Sequence, residues 1–452
     1  MPVDTSTTGA PMCAQDDRTD PAGGAELGTG STGRDRLQRR TVRTLALTQT
    51  VAGVGVATGF GVATLLAADL AGSPELVGLE LTASTLGSAA AAAVLAAVAH
   101  QHGRRRALMS GYLVGAVGAL VCVAAALSSS FWLFVLGMVL YGSAQVAGLQ
   151  ARFAAGDLAT EKDRGRAVSF VLWASTIGSI TGPNLSGAAA AVDRALDMPD
   201  LSGNFLFALV GFLTAVGMIG IWLRPDPLLH SRQGLRPSGE RTEPRRLAPL
   251  STYAAPDARL SLVALSTSHL VMVSLMAMTM LHISHSGMSM GWVGFAFSLH
   301  LAGMSGFSPV FGRLADRIGR PTTLVVGLLL SLTSFLTLGT SPATVSWGSA
   351  LGLFLLGLGW SCVMVTGSVL LSESVTAEHR LLAQGGSDTL MLLCGALGSA
   401  CSGVVVGHYG FPALTVAAAV TVLPALLLAL SSVRSSRRSG DGEGAAVEGP
   451  AA

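Results

Sequence analysis

The chain alternates between long apolar runs and short polar connections. Twelve of the runs reach the length of about 20 residues that a helix needs to cross the hydrocarbon core of a membrane. They are predicted at residues 42–68, 76–99, 106–128, 131–156, 166–191, 203–223, 259–284, 291–314, 321–339, 345–372, 382–407 and 411–432. Gly and Ala are abundant within them, which suits close packing of helices. The pattern predicts an all-α membrane protein with twelve transmembrane helices.

Polar segments set the boundaries of the predicted domains. A polar tail precedes the first run, a Pro- and Arg-rich connection follows the sixth, and a second polar tail ends the chain. The tails have too little apolar surface to bury, so we expect them to be disordered and cytoplasmic. The predicted domains are a tail at 1–40, a six-helix bundle at 41–223, a cytoplasmic linker at 224–258, a second six-helix bundle at 259–433 and a tail at 434–452.

Charged residues are few and lie mainly in the connections. Half of the residues are hydrophobic and 12% are charged, with 28 bases against 26 acids. The bases gather before the first run and in the even-numbered connections, whereas Arg194 is the single base of the odd-numbered ones. Because short cytoplasmic loops collect Lys and Arg, we expect a multi-pass protein of the plasma membrane with both termini in the cytoplasm. The bases then serve topology, and no nucleic-acid partner is expected.

The two halves of the chain share a register. A shift of 216 residues (319 minus 103) places Gly103-Arg104 on Gly319-Arg320 and Asp157 on Glu373 without a gap. A common register between two six-span halves indicates an internal duplication. We therefore expect two pseudo-symmetric bundles.

One connection carries a recognisable loop signature. The segment from Gly312 to Arg320, GRLADRIGR, resembles the G-x-L-a-D-R-x-G-R signature of the major facilitator superfamily, which occurs in the second and eighth connections of that family. The second connection here is degenerate, and His100 stands where the signature has an acid. The resemblance implies a secondary transporter that opens a central cavity alternately to either side, with no cofactor and no enzymatic activity, acting as a monomer.

The signature also implies a gate. Gly312 and Gly319 permit a tight turn, Arg320 can pair with Glu373, and an equivalent pair is available in the first half. Such pairs at the cytoplasmic rim would close the cavity on the inside and break when the bundles rock, although ion pairs of this kind are weak in isolation and could serve only to anchor topology. The predicted gating residues are Gly312, Asp316, Arg317, Gly319, Arg320, Glu373, Arg104 and Asp157.

A few polar residues fall within the predicted spans, where ionisable groups are costly and tend to be functional. Arg152, His269 and His300 are the main candidates. No span midpoint is predicted to carry an acid, so the imidazoles would have to carry any proton. Gln145 and Asn184 could hydrogen-bond a solute or could equally join neighbouring helices.

The fifth span carries a Gly and Pro pattern. The segment from Gly178 to Gly187, GSITGPNLSG, is similar to the G-x-x-x-G-P-x-x-G-G signature of the family, with Ser186 in place of one Gly. In the family that signature is associated with proton-coupled exporters. Physically, it describes a helix with a close-packing face and a Pro-bent hinge.

Soft donor atoms lie on two neighbouring runs. Met272 and Met276 are four residues apart in the seventh run, as are His300 and Met304 in the eighth, so each pair shares a helix face. In an antiparallel hairpin that turns near residue 288, Met276 lies level with His300, and Met272 with Met304. Thioether and imidazole donors favour Cu(I). The alternative is ordinary packing, because Met readily fills apolar cores.

The same residues carry a second resemblance and three hypotheses for the cargo. M-x-x-x-M followed by H-x-x-x-M resembles the signature of bacterial copper importers, a subgroup whose relatives include riboflavin transporters. The first hypothesis is copper import with these four side chains as transient ligands. The second is proton-coupled efflux of a small organic compound, and the third is a non-transporting receptor, which would not need the rim pairs. No phosphate-binding G-x-x-x-x-G-K-[ST] motif is present, so ATP is not the expected energy source.

Overall fold

A computed structural model describes residues 22–71, 76, 79–233, 250–285, 290–341 and 346–447, and within these ranges all regular structure is helical. The predicted tails beyond these limits and residues 234–249 of the predicted linker lie outside the described residues. The described chain folds into two helical bundles, one from each half.

The N-terminal bundle contains seven helices and is followed by a short helix in the linker. Their bounds are α1 Ala22–Ala71, α2 Leu79–His102, α3 Arg104–Leu127, α4 Phe131–Gly156, α5 Arg164–Asn184, α6 Ser186–Ala195, α7 Ser202–Trp222 and α8 Pro227–Gln233. An aromatic cluster lies within the Ala-rich bundle core: Tyr141 lies edge-on against Phe205 and Phe212, and its hydroxyl donates to the Gly55 carbonyl at 2.6 Å.

The C-terminal bundle repeats this order after a 3₁₀ turn at Leu250–Tyr253. It contains α9 Pro256–His285, α10 Met290–Leu301, a π-helical segment at Ala302–Gly306, α11 Ser308–Ile318, α12 Arg320–Thr340, α13 Ser346–Ser374, α14 Arg380–Tyr409 and α15 Phe411–Val447. Its core is formed mainly by Leu, Val and Ala side chains.

Ten helices of the described ranges are long and apolar enough to cross a membrane. The other two predicted spans are interrupted, the fifth between α5 and α6 and the eighth at the π-helical segment. Pro183 lies in the last turn of α5, where it removes one backbone N–H donor from the helix ladder. The ten continuous helices and the two interrupted segments together account for the twelve predicted spans.

The outermost helices reach beyond the predicted domain boundaries. Helix α1 begins at Ala22, inside the segment predicted as a disordered tail, and α15 continues to Val447. Once a packed span has nucleated a helix, each further residue adds a hydrogen bond at little cost, so polar residues can extend it. The amino-acid composition of a polar segment therefore does not predict the residue at which such a helix begins or ends.

The glycine pattern of the fifth span lets two helices touch. A Cβ atom at Gly178 would lie 2.6 Å from the carbonyl carbon of Gly53, and one at Gly182 would lie 2.6 Å from the Ala57 Cβ. Helix α5 therefore packs backbone to backbone on α1, as the sequence pattern predicts.

The duplication is visible at two equivalent turns. Gly103 and Gly319 both have a φ of 88°, a value that favours glycine, and each directly precedes a helix, α3 and α12. The two bundles meet where α2 packs against α14 and where α5 packs against α11. These two seams position the residues considered next.

Candidate functional site

The arginine-rich connections of both bundles lie at one end of the molecule, which we call the basic end. It is marked by two equivalent ion pairs. Arg104 Nε lies 2.9 Å from Asp157 Oδ2, and Arg320 Nε lies 3.2 Å from Glu373 Oε2. Each predicted rim pair thus forms within its own half, so it cannot by itself hold the two halves together.

Other contacts of the same side chains cross between the bundles. Arg164 Nη1 donates to Glu373 Oε1 at 3.3 Å, and Arg104 donates to the side-chain oxygen of Gln384. Arg320 Nη2 donates to the backbone carbonyl of Glu161 at 2.6 Å. The rim pairs hold the arginine and carboxylate side chains in place, and these second contacts join the two bundles at the basic end.

The loop signature of α11 docks on the start of α5. Asp316 Oδ2 accepts a hydrogen bond from the backbone N–H of Arg166 at 3.3 Å, next to the positive end of the α5 dipole. A Cβ at Gly312 would lie 2.5 Å from the Gly165 carbonyl oxygen, so only glycine permits this approach. The equivalent position in the first half holds His100, a half-buried side chain without the carboxylate.

The remaining candidates from the sequence lie apart from this interface. Arg317 is exposed, and the Asn184 amide donates to the Ile180 carbonyl of its own helix at 2.6 Å. Gln145 accepts a hydrogen bond from the Ser88 hydroxyl at 3.3 Å and so joins α4 to α2 within the N-terminal bundle.

The two halves also meet through a buried ion pair inside the membrane region. Arg152 of α4 donates from Nη2 to Asp388 Oδ1 of α14, and both side chains have a relative exposure of 0%. Arg152 donates further to Ser368 Oγ of α13 and to the Leu149 carbonyl, both at 2.9 Å. Asp388 Oδ2 is buried and has no hydrogen-bond partner among the described residues.

Asp388 adds a buried acid to the ionisable candidates within the spans, although it lies toward one end of α14 and not at its midpoint. It lies eight residues after Arg380, the first residue of α14, or about 12 Å along the helix axis. The available signal was a lone Asp in the predicted span 382–407, a class of residue that is rare in membranes and tends to be functional. Arg152, by contrast, was named from the sequence.

His269 lies at the meeting point of α9, α13 and α14. Its Nδ1 accepts a hydrogen bond from Trp360 Nε1 at 3.2 Å. A Cβ at Gly395 of α14 would lie 2.7 Å from the His269 ring, so glycine makes room for the imidazole. The ring is therefore turned toward the bundle interior rather than toward lipid.

The predicted copper ligands all lie in the C-terminal bundle. Met272 is part of the buried apolar core, and Met276 and Met304 are half-buried and pack against it. His300 is fully buried, and its Nδ1 lies 2.8 Å from the Leu353 carbonyl of α13. Since a carbonyl only accepts, Nδ1 carries the proton; Nε2 has no hydrogen-bond partner among the described residues.

Comparison with known proteins assigns the family. Residues 45–292 and 260–451 match the family model of the Major Facilitator Superfamily. The chain belongs to the major facilitator superfamily. It is 33% identical to the uncharacterised MFS-type transporter YddS of Bacillus subtilis (strain 168), over 86% of this chain and 90% of that protein.

Two further similarities agree with this assignment. It is 29% identical to the riboflavin transporter RfnT of Brucella anthropi, over 72% of this chain and 79% of that protein. The solved structure of the proton:xylose symporter XylE superposes with a TM-score of 0.70 at 14% identity, covering 88% of this chain and 96% of that one. These findings confirm the all-α superfamily fold and a transporter rather than an enzyme, and they leave the copper subgroup without specific support.

Proposed function

We propose that this transporter exports a small organic compound in exchange for protons, with Asp388 as the proton-carrying group. The observation that carries the proposal is the fully buried pair between Arg152 and Asp388, which joins the two bundles. A carboxylate in the membrane interior is retained at a cost, and its usual reason is function. The free Oδ2 atom offers a position at which a proton can be added.

The pair links protonation to the position of the bundles. Protonation of Asp388 removes the negative charge that attracts Arg152, and a buried pair that loses one charge is strongly weakened. Of the other crossing links at the basic end, the pair of Arg164 and Glu373 is partly exposed, at 14% and 22%, whereas the contact of Arg104 with Gln384 is buried and carries no second charge. Proton uptake therefore favours opening of the basic end.

The direction of the cycle follows from topology. If the basic end faces the cytoplasm, as the arginine distribution predicts, the structure is closed on the inside. A proton that enters from the outside then releases Arg152, and the cavity turns inward. Cargo that binds from the cytoplasm displaces the proton and restores the pair. The Gly and Pro pattern of α5 supports this choice of exchange over symport.

Proton flux in reconstituted vesicles tests the proposal. Proteoliposomes that enclose a pH-sensitive dye are exposed to individual organic compounds, with riboflavin included because of the relative RfnT. Compound-dependent proton movement is expected for the wild type and not for Asp388→Asn. Asp193→Asn is the matched control, because Asp193 is also buried but, within the described part of the chain, its carboxylate accepts hydrogen bonds only from Ser202 and Gly203 of the N-terminal bundle. Equal flux in both variants would disprove the role of Asp388.

Copper import is a second candidate, favoured by the arrangement of His300 and Met304. Metal-binding imidazoles usually donate one ring N–H to a carbonyl and keep the other nitrogen for the metal, and His300 has this arrangement. Met304 lies in the π-helical segment, a distortion that is frequent at functional sites. Met272 and Met276 would supply further thioethers from α9.

Copper accumulation in cells separates the two candidates. Cells that express the wild type are compared with cells that express His300→Ala or Met272→Ala and with cells without the protein. Met364→Ala is the control, since Met364 is a buried Met of α13 outside the predicted set. Uptake that depends on His300 and Met272 but not on Met364 would favour copper. Equal copper content in all strains would eliminate it.

A further inference from the structure

Four arginines form one basic face at the start of the first span. Arg36, Arg39, Arg40 and Arg43 follow the spacing i, i+3, i+4 and i+7, which places them on one side of α1. All four are exposed. Together with Thr44, Leu47 and Trp222 they line a groove, which we call the α1 groove.

The four guanidinium groups of the α1 groove are available to a ligand. Within the described part of the chain, none of them takes part in a hydrogen bond or an ion pair. Two nearby arginines differ, since Arg105 and Arg224 both donate to the Gly220 carbonyl of α7, at 2.7 and 3.0 Å. The α1 groove therefore gathers four unpaired guanidinium groups on one helix face, among the described residues.

The groove changes from basic to apolar along the helix. Leu47 follows Arg43 by one turn and is 54% exposed, and Trp222 at the end of α7 is 44% exposed. Trp is the residue that most often marks the level of lipid headgroups. The groove thus presents guanidinium groups on the aqueous side and apolar side chains on the hydrocarbon side.

The cluster is absent from the equivalent helix of the other half. Under the shift of 216 residues, Arg43 corresponds to Arg259, but the positions of Arg36, Arg39 and Arg40 correspond to Thr252, Ala255 and Pro256. The duplicated fold therefore does not require these arginines. Topology alone also does not explain why they share one face with an aromatic side chain.

We propose that the α1 groove binds an anionic phospholipid from the leaflet at the basic end. Arginine binds phosphate oxygens through two parallel N–H donors, and four such groups match a headgroup with one or two phosphates. The acyl chains would continue along Leu47 and Trp222. This apolar continuation and the position at the membrane surface favour a lipid over free phosphate. The lipid binds outside the seams between the bundles, so it acts on the N-terminal bundle without occupying the transport site.

Lipid retention by the purified full-length protein tests this site. Native mass spectrometry is used to measure apparent affinities for phosphatidylglycerol, cardiolipin and phosphatidylcholine, with inorganic phosphate as a separate competitor. Loss of one arginine near an anionic lipid surface is expected to weaken binding about five-fold. Arg39→Gln combined with Arg43→Gln should then weaken binding of the two anionic lipids roughly 25-fold. Binding of phosphatidylcholine should not change.

A matched variant separates the site from general charge. Arg259→Gln combined with Arg434→Gln removes the same charge from exposed positions of the C-terminal bundle and should leave lipid binding unchanged. Trp222→Ala should weaken lipid binding without a change in charge. Arg39→Lys combined with Arg43→Lys keeps the charge if the Gln variant does not fold, and it should still lose affinity because Lys cannot bind phosphate bidentately. Equal affinities across all variants, or displacement of the lipid by inorganic phosphate, would overturn the assignment.

Discussion

Arg152 and Asp388 are 236 residues apart in the chain, and their fully buried side chains form an ion pair between the two halves. The desolvation of both charges is offset only while both are present. Ser368 and the Leu149 carbonyl take two further donors of the guanidinium group, which fixes its orientation toward α14. The pair therefore links the two halves through two buried charges that compensate each other.

Removal of one partner should cost more than removal of both. Asp388→Asn and Arg152→Gln each remove one charge of the pair and leave the other buried without a partner. Either variant is expected to lower the free energy of unfolding by about 3–5 kcal/mol. The double variant should be more stable than the sum of the two single effects predicts, because no charge is then unpaired. Thermal unfolding of the purified proteins at matched detergent concentration gives the double-mutant cycle. Additive effects would show that the two side chains do not interact.

Loss of one crossing contact should open the basic end without unfolding the protein. Arg164→Gln removes the link to Glu373 but leaves the pair of Arg320 and Glu373 intact. A partly exposed pair contributes up to about 1 kcal/mol, so the open population should rise by up to about five-fold. Spin labels at Lys162→Cys and Ala377→Cys, both exposed and one in each half, report that population by their distance distribution.

Salt provides the internal check on this prediction. Raised ionic strength should open the wild type and bring it closer to the Arg164→Gln protein, because salt screens exposed charges more than buried ones. Arg194→Gln, an exposed arginine at the opposite end, should leave the distances unchanged. If Arg164→Gln and Arg194→Gln behave alike, the crossing contact has no gating role.

The sequence predicts most of the helices and the ion pairs within each half, because these signals are local. Apolar runs of membrane length and the glycine that precedes Arg104 and Arg320 can be recognised one segment at a time. The break between α5 and α6 was missed because the apolar run continues through Leu185. Helix ends in polar segments, such as Ala22, depend on propagation from a packed span rather than on composition.

The contacts that join the halves could not be predicted in the same way. Arg104 and Gln384 are 280 residues apart, and nothing in either segment specifies the other. The duplication aligns equivalent positions of the two halves, so a pair expected within one half is also expected within the other. It gives no information about which residues of one half contact the other half. The sequence offers Asp388 as a lone acid in a predicted span, but its pairing with Arg152 is supplied only by the packed structure.

Glycine at position 312 should be required for closure of the basic end. In Gly312→Ala the added Cβ would lie 2.5 Å from the Gly165 carbonyl oxygen, a backbone atom that no side-chain rotation can move away. The α5–α11 seam must then separate, so we expect lower transport and a larger open population. Gly407→Ala in α14 is the control, since a Cβ there meets nothing within 4 Å. Its stability should be unchanged or raised by about 0.5–1 kcal/mol. Transport equal to the wild type in Gly312→Ala would show that the close approach is dispensable.

Tyr253 should make stability depend on alkaline pH. Its hydroxyl donates to the Ala383 carbonyl at 3.0 Å and so holds the end of the linker on α14. Burial, followed by the negative charge of Asp388, raises the pKa of Tyr253 from 10.0 to about 12. The folded state thus keeps its proton where the unfolded chain loses it, so the contribution of Tyr253 is complete below pH 10.0 and declines as the pH rises toward about 12. Unfolding of the wild type and Tyr253→Phe across this interval measures the difference. Tyr253→Phe should be less stable than the wild type below pH 10.0 and should lose less stability than the wild type between pH 10.0 and about 12. Parallel pH profiles of the two proteins would show that ionisation of Tyr253 does not affect stability.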